Sequence, residues 1–176
     1  MVKDSGARRE FDGGSVRDIQ IGKGREDLLP LREVANFEKY TYNIKDETFL
    51  SCIAAYTEDL NEQHLYHALQ IFSEEAGWNI YQAIMEVAIH YEEGAEKYDD
   101  NNWRKLGGGI PAHCYIDSGL RHYLKFKQGL TDESHDRAVI WNILGLLYTI
   151  NNIPEKDDLT FFKDRLKYKD KKSCKK

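Results

Sequence analysis

Long apolar runs are missing from this chain. No stretch approaches the roughly 18 consecutive apolar residues that cross a bilayer, and the opening MVKDSGARREFDGG has no apolar core of a secretory leader. The expectation is a protein with no membrane partner that works in the cytoplasm. Cysteine is scarce: Cys52, Cys114 and Cys174 have no paired spacing, and an odd count argues against a disulfide framework, so reduced thiols are expected. Strand-like alternation of useful length is absent as well. Two local motifs fail on inspection. GKGR at 22–25 lacks the spacing and the following Ser or Thr of a Walker A loop. DDNNWRKLGGGI at 99–110 lacks the central Gly and closing Glu of an EF-hand.

The 176 residues that remain to be explained suffice for one domain with a proper core, or a core plus appendages. Hydrophobic residues make up 41% and charged residues 31%, with a mean hydropathy of −0.67, the profile of a protein with a large solvated surface. The net charge of −5 is uneven. The tail KDRLKYKDKKSCKK (163–176) holds eight Lys or Arg against two Asp, leaving the rest of the chain near −11. An acidic body does not point to sequence-specific nucleic-acid binding, and the tail reads as a solvated terminus.

Periodicity is helical throughout, which predicts an all-α fold. From Asn79 to Tyr98, Ile80, Ala83, Ile84, Val87, Ala88, Tyr91, Ala95 and Tyr98 recur at three- and four-residue spacing, one apolar stripe. Gly107 to Gly109 and Pro111 end that run. A second helix is predicted from about His113 to Lys127, with Ile116, Leu120, Tyr123, Leu124 and Phe126 inward. A third is predicted after the turn GLTDES, with Thr131 or Asp132 as its cap, Val139, Ile140, Ile143, Leu144, Leu146 and Leu147 on its core face, and an end near Asn151-Asn152. Thr48 to Asp59 and Glu62 to Glu75 form a weaker pair with a turn at Asn61. Short links between helices imply a bundle.

The densest acid cluster on these helices is Glu92, Glu93 and Glu96 in HYEEGAEKY. Spacings of i,i+3 and i,i+4 bring the three carboxylates together beside the apolar stripe. Asp117, on the next helix, has Arg121 at i,i+4 and His122 beyond it; the pair reads as a surface ion pair, or, in an antiparallel bundle, as an acid facing the glutamates. Several carboxylate oxygens suit a hard divalent cation, and such a cation joined to phosphates suits nucleotide hydrolysis.

An EExxE helix followed after a loop by a second acidic helix resembles the all-α, MazG-like nucleoside triphosphate pyrophosphohydrolases. GARREF (6–11), VRDIQIGKGREDLLP (16–30), EEGAEKYDDNNW (92–103), YIDSGLRHYLKF (115–126) and HDRAVIWNILGLL (135–147) are together similar to the phage dATP/dGTP diphosphohydrolases called MazZ. The resemblance implies a helical, oligomeric enzyme that splits a purine deoxynucleoside triphosphate between the α and β phosphates with Mg²⁺ or Mn²⁺. It also implies dGMP supply for 2-aminoadenine nucleotides in a phage, hence the host cell cytoplasm. It places Glu92, Glu93, Glu96 and Asp117 as catalytic metal ligands. One departure stands out: where such enzymes have ExxD, this chain has Cys114 three residues before Asp117 and Leu120 three after. Either fewer protein ligands serve, or Asp136 or Asn142 contributes.

Holding a triphosphate also takes cations. Lys97, Arg104, Arg121 and His122 lie near the acids in sequence or across the expected bundle, and Arg forks suit phosphate oxygens. Tyr98 or Trp103 is available to stack on a purine, although core packing is the commoner use. Asn142 amid an apolar run needs a polar partner: a base, a metal or the backbone. In GSVRDIQIGKGREDLLP (14–30), Gly22 and Gly24 would let amides approach phosphates while Arg17, Lys23 and Arg25 offset charge, so the stretch reads as a lid or clamp over the nucleotide, or else as a flexible leader. The expected organisation is a clamp segment at 1–34, a helical insertion at 35–78, the catalytic bundle at 79–152 and an extension at 153–176. Two competing readings are an HD-type phosphohydrolase, with His135-Asp136, His122 and Asp157 or Asp158, and a non-catalytic helical module that binds a nucleotide or a partner. His64 and His67, at i,i+3, read as surface residues.

Overall fold

Helices dominate the computed structural model, which describes residues 8–11, 15–18, 46–98, 100–104, 109–164 and 167. They are α1 (Phe49–Asp59), α2 (Gln63–Glu75), α3 (Ile80–Tyr98), α4 (Ala112–Lys127) and α5 (His135–Asn152), with 3-10 turns at Asn102–Arg104 and Pro154–Lys156 and a helical stretch at 160–164. The all-α body is as expected. The N-terminal segment departs from the irregular reading, because β1 (Arg8–Glu10) and β2 (Val16–Asp18) pair antiparallel with Arg9 opposite Arg17. Strands of three residues are too short to show alternation in sequence; contacts far along the chain hold them. Lys23, Arg25 and most of the expected clamp lie outside the described residues.

The chain divides into two compact units, Met1–Leu28 with Ser73–Asp158, and Leu29–Phe72 with Leu159–Lys176. In the second, Thr48 caps α1 through a capping box with Ser51: the Ser51 amide donates to Thr48 Oγ1 at 3.1 Å and the Thr48 amide to Ser51 Oγ at 2.8 Å. Phe49 meets Phe72 with ring centroids 5.6 Å apart, and Leu65 and Ala68 are fully buried. His64 and His67 sit on this unit's surface beside Asp59 and Glu47, each 3.0 Å away.

In the first unit α5 is the central helix, packed along both α4 and α3. Ile116, Leu120 and Tyr123 of α4 and Val139, Ile143 and Leu146 of α5 form its interior, the faces that the periodicity predicts. Gly145 makes room there. A Cβ at this position would press into the Tyr115 ring, 2.9 Å from Cδ1, so only glycine lets that ring lie against α5. At the end of α4, Gly129 (φ 70°) accepts the left-handed conformation of a Schellman turn, closed by Leu130 N–H donating to Lys125 O at 3.1 Å and Gly129 N–H to Phe126 O at 2.9 Å.

Two expectations are corrected here. α5 starts at His135 after Ser134, without a side-chain cap from Thr131 or Asp132; Asp132 instead receives His135 Nε2 at 2.8 Å, so a side-chain contact replaces the cap. On α3, only Ala83 and Val87 of the apolar stripe are buried, whereas Ile80 and Ile84 are each 55% exposed. The stripe is wider than the strip that α5 covers.

Candidate functional site

The ribbon lays two arginines side by side on one face, since directly opposed residues of an antiparallel pair point the same way. Like charges so placed repel unless other groups hold them. Arg17 Nη2 donates to Asn142 Oδ1 of α5 at 2.8 Å, and its guanidinium lies 5.5 Å from the Tyr115 ring and 5.7 Å from the Trp141 ring. Arg9 Nη2 donates to Cys114 Sγ at 2.9 Å, and its guanidinium lies 4.8 Å from the Phe11 ring. Ser15 ties the ribbon to the loop after α3, donating through Oγ to Asn102 O at 3.0 Å and accepting the Gly109 amide at 2.6 Å.

Those contacts leave donors unused. Arg17 Nη1 and Arg9 Nε are both enclosed and have no hydrogen-bond partner among the described residues. Burial pulls the Arg17 guanidinium below its ordinary value; Cys114 and Tyr115 oppose this, while Arg121 and Arg9 add to it. Three arginines thus share one neighbourhood. Asp117, 2% exposed, pairs with Arg121 Nη2 within α4. The Asp117–Arg121 pair is therefore made, but in the interior rather than at the surface.

Trp141 links this arginine cluster to the acids of α3. Its ring centroid is 6.0 Å from His90, 6.1 Å from Tyr91 and 5.6 Å from Tyr115. His90 faces Glu93 at 3.9 Å (Nδ1 to Oε2), and burial pushes the imidazole down to about 4, with Glu93 opposing the shift. The three glutamates are not alike: Glu93 is half-buried against His90, whereas Glu92 and Glu96 are exposed. Arg137 of α5 reaches Glu86 of α3 through Nε at 2.7 Å, holding the two helices in register on this side.

The other sequence candidates fall into place around this frame. Asn142 is 1% exposed and finds both the backbone and a side chain, donating through Nδ2 to Ala138 O at 2.7 Å and accepting from Arg17. Trp103 packs between Tyr91 (5.4 Å) and Tyr148 (4.9 Å), in the manner of a core aromatic. Arg104 is exposed and donates to Asn101 Oδ1 at 2.8 Å, and Lys97 Nζ lies 4.9 Å from the Tyr98 ring. His122 turns toward His135, with Nδ1 to Nδ1 at 3.0 Å. Asp158, one of the two acids offered for an HD site, pairs with His113 at the other end of α4.

Among the described residues, two groups of three bring ligand atoms within 4.8 Å of one another: Glu47, Cys52 and His67, and His122, Glu133 and His135. Glu92, Glu93, Glu96 and Asp117 are not gathered in this way. Sequence reading missed Arg9, His90, Arg137 and Glu133. Arg9 carried a faint signal, as the second of two arginines in GARREF; the rest became meaningful only once α5 was laid against α3 and α4.

Residues 68–159, just over half of the chain, match a family model described as dATP/dGTP diphosphohydrolase, N-terminal. The match spans α3, α4 and α5. No curated protein and no solved structure matches the chain. No helix among the described residues is long and apolar enough to cross a membrane.

Proposed function

The chain belongs to the dATP/dGTP diphosphohydrolase family, and on that premise we propose that it hydrolyses dGTP, and dATP as a second substrate, to the monophosphate and pyrophosphate. The observation that carries this reading is the enclosed Arg9–Arg17 pair with unused N–H groups. Buried cationic donors are costly when unmatched. A triphosphate, with about four negative charges, supplies the missing acceptors.

Arg9 and Arg17 bind phosphate oxygens, and Arg121, anchored on Asp117, adds charge from α4. Lys97, Arg104, Lys23 and Arg25 complete the cationic surround, the last two from the clamp segment 1–34. Asn142 acts through Arg17, whose fork it orients. Glu92, Glu93, Glu96 and Asp117 would hold Mg²⁺ or Mn²⁺. This donor set is all oxygen, as a hard cation requires, and Glu93 already sits half-buried with an enclosed oxygen. When bound, the cation offsets phosphate charge and polarises the scissile bond. Glu93 orients the attacking water and accepts its proton, with His90, kept neutral by burial, beside it.

The wider reading is a homo-oligomeric phage enzyme in the host cytoplasm that supplies dGMP for 2-aminoadenine nucleotides, with 35–78 inserted ahead of the catalytic bundle 79–152 and 153–176 as an extension. Purified protein with Mn²⁺ or Mg²⁺ and each dNTP tests the reaction, with products separated by ion exchange. Pyrophosphate and dGMP are expected. Deoxynucleoside plus triphosphate would point to HD chemistry, and nucleotide-induced stabilisation without turnover to a binding module. Glu93→Gln and Glu96→Gln should each abolish turnover with circular dichroism unchanged; full activity in both would sink the metal assignment.

A further inference from the structure

The corner between α4 and α5 carries a group that the hydrolysis does not use. His122 Nδ1 and His135 Nδ1 are 3.0 Å apart, and Glu133 Oε1 lies 3.7 Å from the first and 3.8 Å from the second. His135 is buried, and the side chains of His122 and Glu133 are 13% and 15% exposed. Three potential ligand atoms therefore meet around one point, each from a different stretch of chain: α4, the connecting turn and the first residue of α5.

Orientation within the group is set from behind. Asp132 Oδ1 lies 2.8 Å from His135 Nε2, so that nitrogen carries a proton and donates it, leaving Nδ1 with its lone pair toward the group. A carboxylate behind a histidine is the usual support of a metal-bound imidazole. Tetrahedral zinc with Zn–N of about 2.0–2.1 Å separates neighbouring ligand atoms by about 3.3 Å, and the observed spacings bracket that value. Two nitrogens and one carboxylate oxygen form a borderline donor set, suited to Zn²⁺ rather than to Mg²⁺. Lys125, which reaches Asp132 at 3.3 Å and Glu133 at 3.8 Å, sits at the rim and offsets the two carboxylates.

We propose that His122, Glu133 and His135 form a zinc site that fastens the start of α5 to α4, its fourth position taken by water. The metal does there what a side-chain cap does elsewhere: α5 lacks one, and the turn before it is fixed through its ligands instead. This also gives His122 a role other than substrate binding. The site is separate in donors from the α3 glutamates, so its test does not depend on turnover.

The full chain, stripped with EDTA and dialysed, is titrated with Co²⁺ as a spectroscopic stand-in and then with Zn²⁺. One Co²⁺ per chain with the intense visible bands of low-coordinate N/O ligation is expected, displaced by Zn²⁺, with a rise in the thermal midpoint. Glu133→Gln and His122→Gln should lose the bands, and Asp132→Asn should weaken Zn²⁺ binding by about 10–100-fold. Glu93→Gln should retain them. Glu133 lies outside the core, so its variant keeps the fold and stays informative if a histidine variant does not. Absence of the bands in the wild type, bands that survive in Glu133→Gln, or bands lost in Glu93→Gln would each overturn the proposal. In those cases the histidine pair is a hydrogen bond from His122 to His135 and nothing more.

Discussion

An arginine enclosed beside other arginines stays folded only where neighbours offset its charge and use its donors. Arg17 has Asn142 and two aromatic faces for part of that task, and its enclosed Nη1 has no acceptor among the described residues. Arg17→Ala should therefore act twice. It strands the buried Asn142 Oδ1, lowering stability by about 1–3 kcal/mol, and it removes a phosphate contact, raising KM for dGTP about tenfold or more. Arg17→Lys should fail to restore KM, because an ammonium cannot reproduce the fork. Urea denaturation and steady-state kinetics separate the two effects, and an unchanged KM in Arg17→Ala would remove the residue from the phosphate site.

Among the helices, α4 and α5 approach closely at Gly145, while the late turns of α3 stand clear at Gly94. Gly145→Ala forces a methyl group into the Tyr115 ring and should cost about 1–3 kcal/mol despite its better helix propensity. Gly94→Ala meets nothing within 4 Å and should gain about 0.5–1 kcal/mol. Thermal melts of the two variants check the pair, and a destabilised Gly94→Ala would mean that α3 is not helical through its acid cluster. A second element-level feature is the contact between His113, in the first turn of α4, and Asp158. The Asp158 hydrogen bond raises His113 from 6.5 to about 10, and hydrogen bonds from His113 help lower Asp158 despite its partial burial. The histidine's contribution is complete below about pH 6.5 and fades as pH climbs through about 10; the aspartate's is present above its ordinary 3.8 and lost as pH falls below that. The stability gap between wild type and Asp158→Asn should thus be widest between about pH 4 and 6.5. Urea midpoints at about pH 5.5 and about pH 10.5 decide it: an equal gap at both would refute the coupling.

For the molecule as a whole, the outer face of α3 is the most apolar surface of that helix left in solvent. Tyr81 is 77% exposed and Met85 71%, next to the half-exposed Ile80 and Ile84, a row that a solitary chain would have to leave in water. If the expected oligomer forms, this row is a surface that a second copy could bury. Light scattering should give a mass above one chain, and Tyr81→Glu with Met85→Lys should shift it to the monomer with helicity intact. A wild-type monomer would end the oligomer reading.

Helix positions and the acid cluster were legible in the linear chain because both rest on local rules. A 3.6-residue period marks which residues of 113–127 and 135–152 turn inward, and i,i+3 and i,i+4 spacing puts Glu92, Glu93 and Glu96 on neighbouring turns of one helix, though not with their carboxylates gathered. Burial is not local. That Asp117 and Arg121 pair in the interior, that Glu93 alone of its three is half-buried against His90, and that only part of the α3 stripe is covered were decided by how α3 and α4 pack on α5. The same holds for the ribbon, where Arg9 and Arg17 are eight residues apart in sequence but directly opposed in register, and for His122 and His135, which the turn between α4 and α5 folds into contact. Periodicity and motif spacing determined the elements and their chemistry; only tertiary packing decided which charges are stripped of water and which donors meet, because desolvation is set by neighbours distant in sequence.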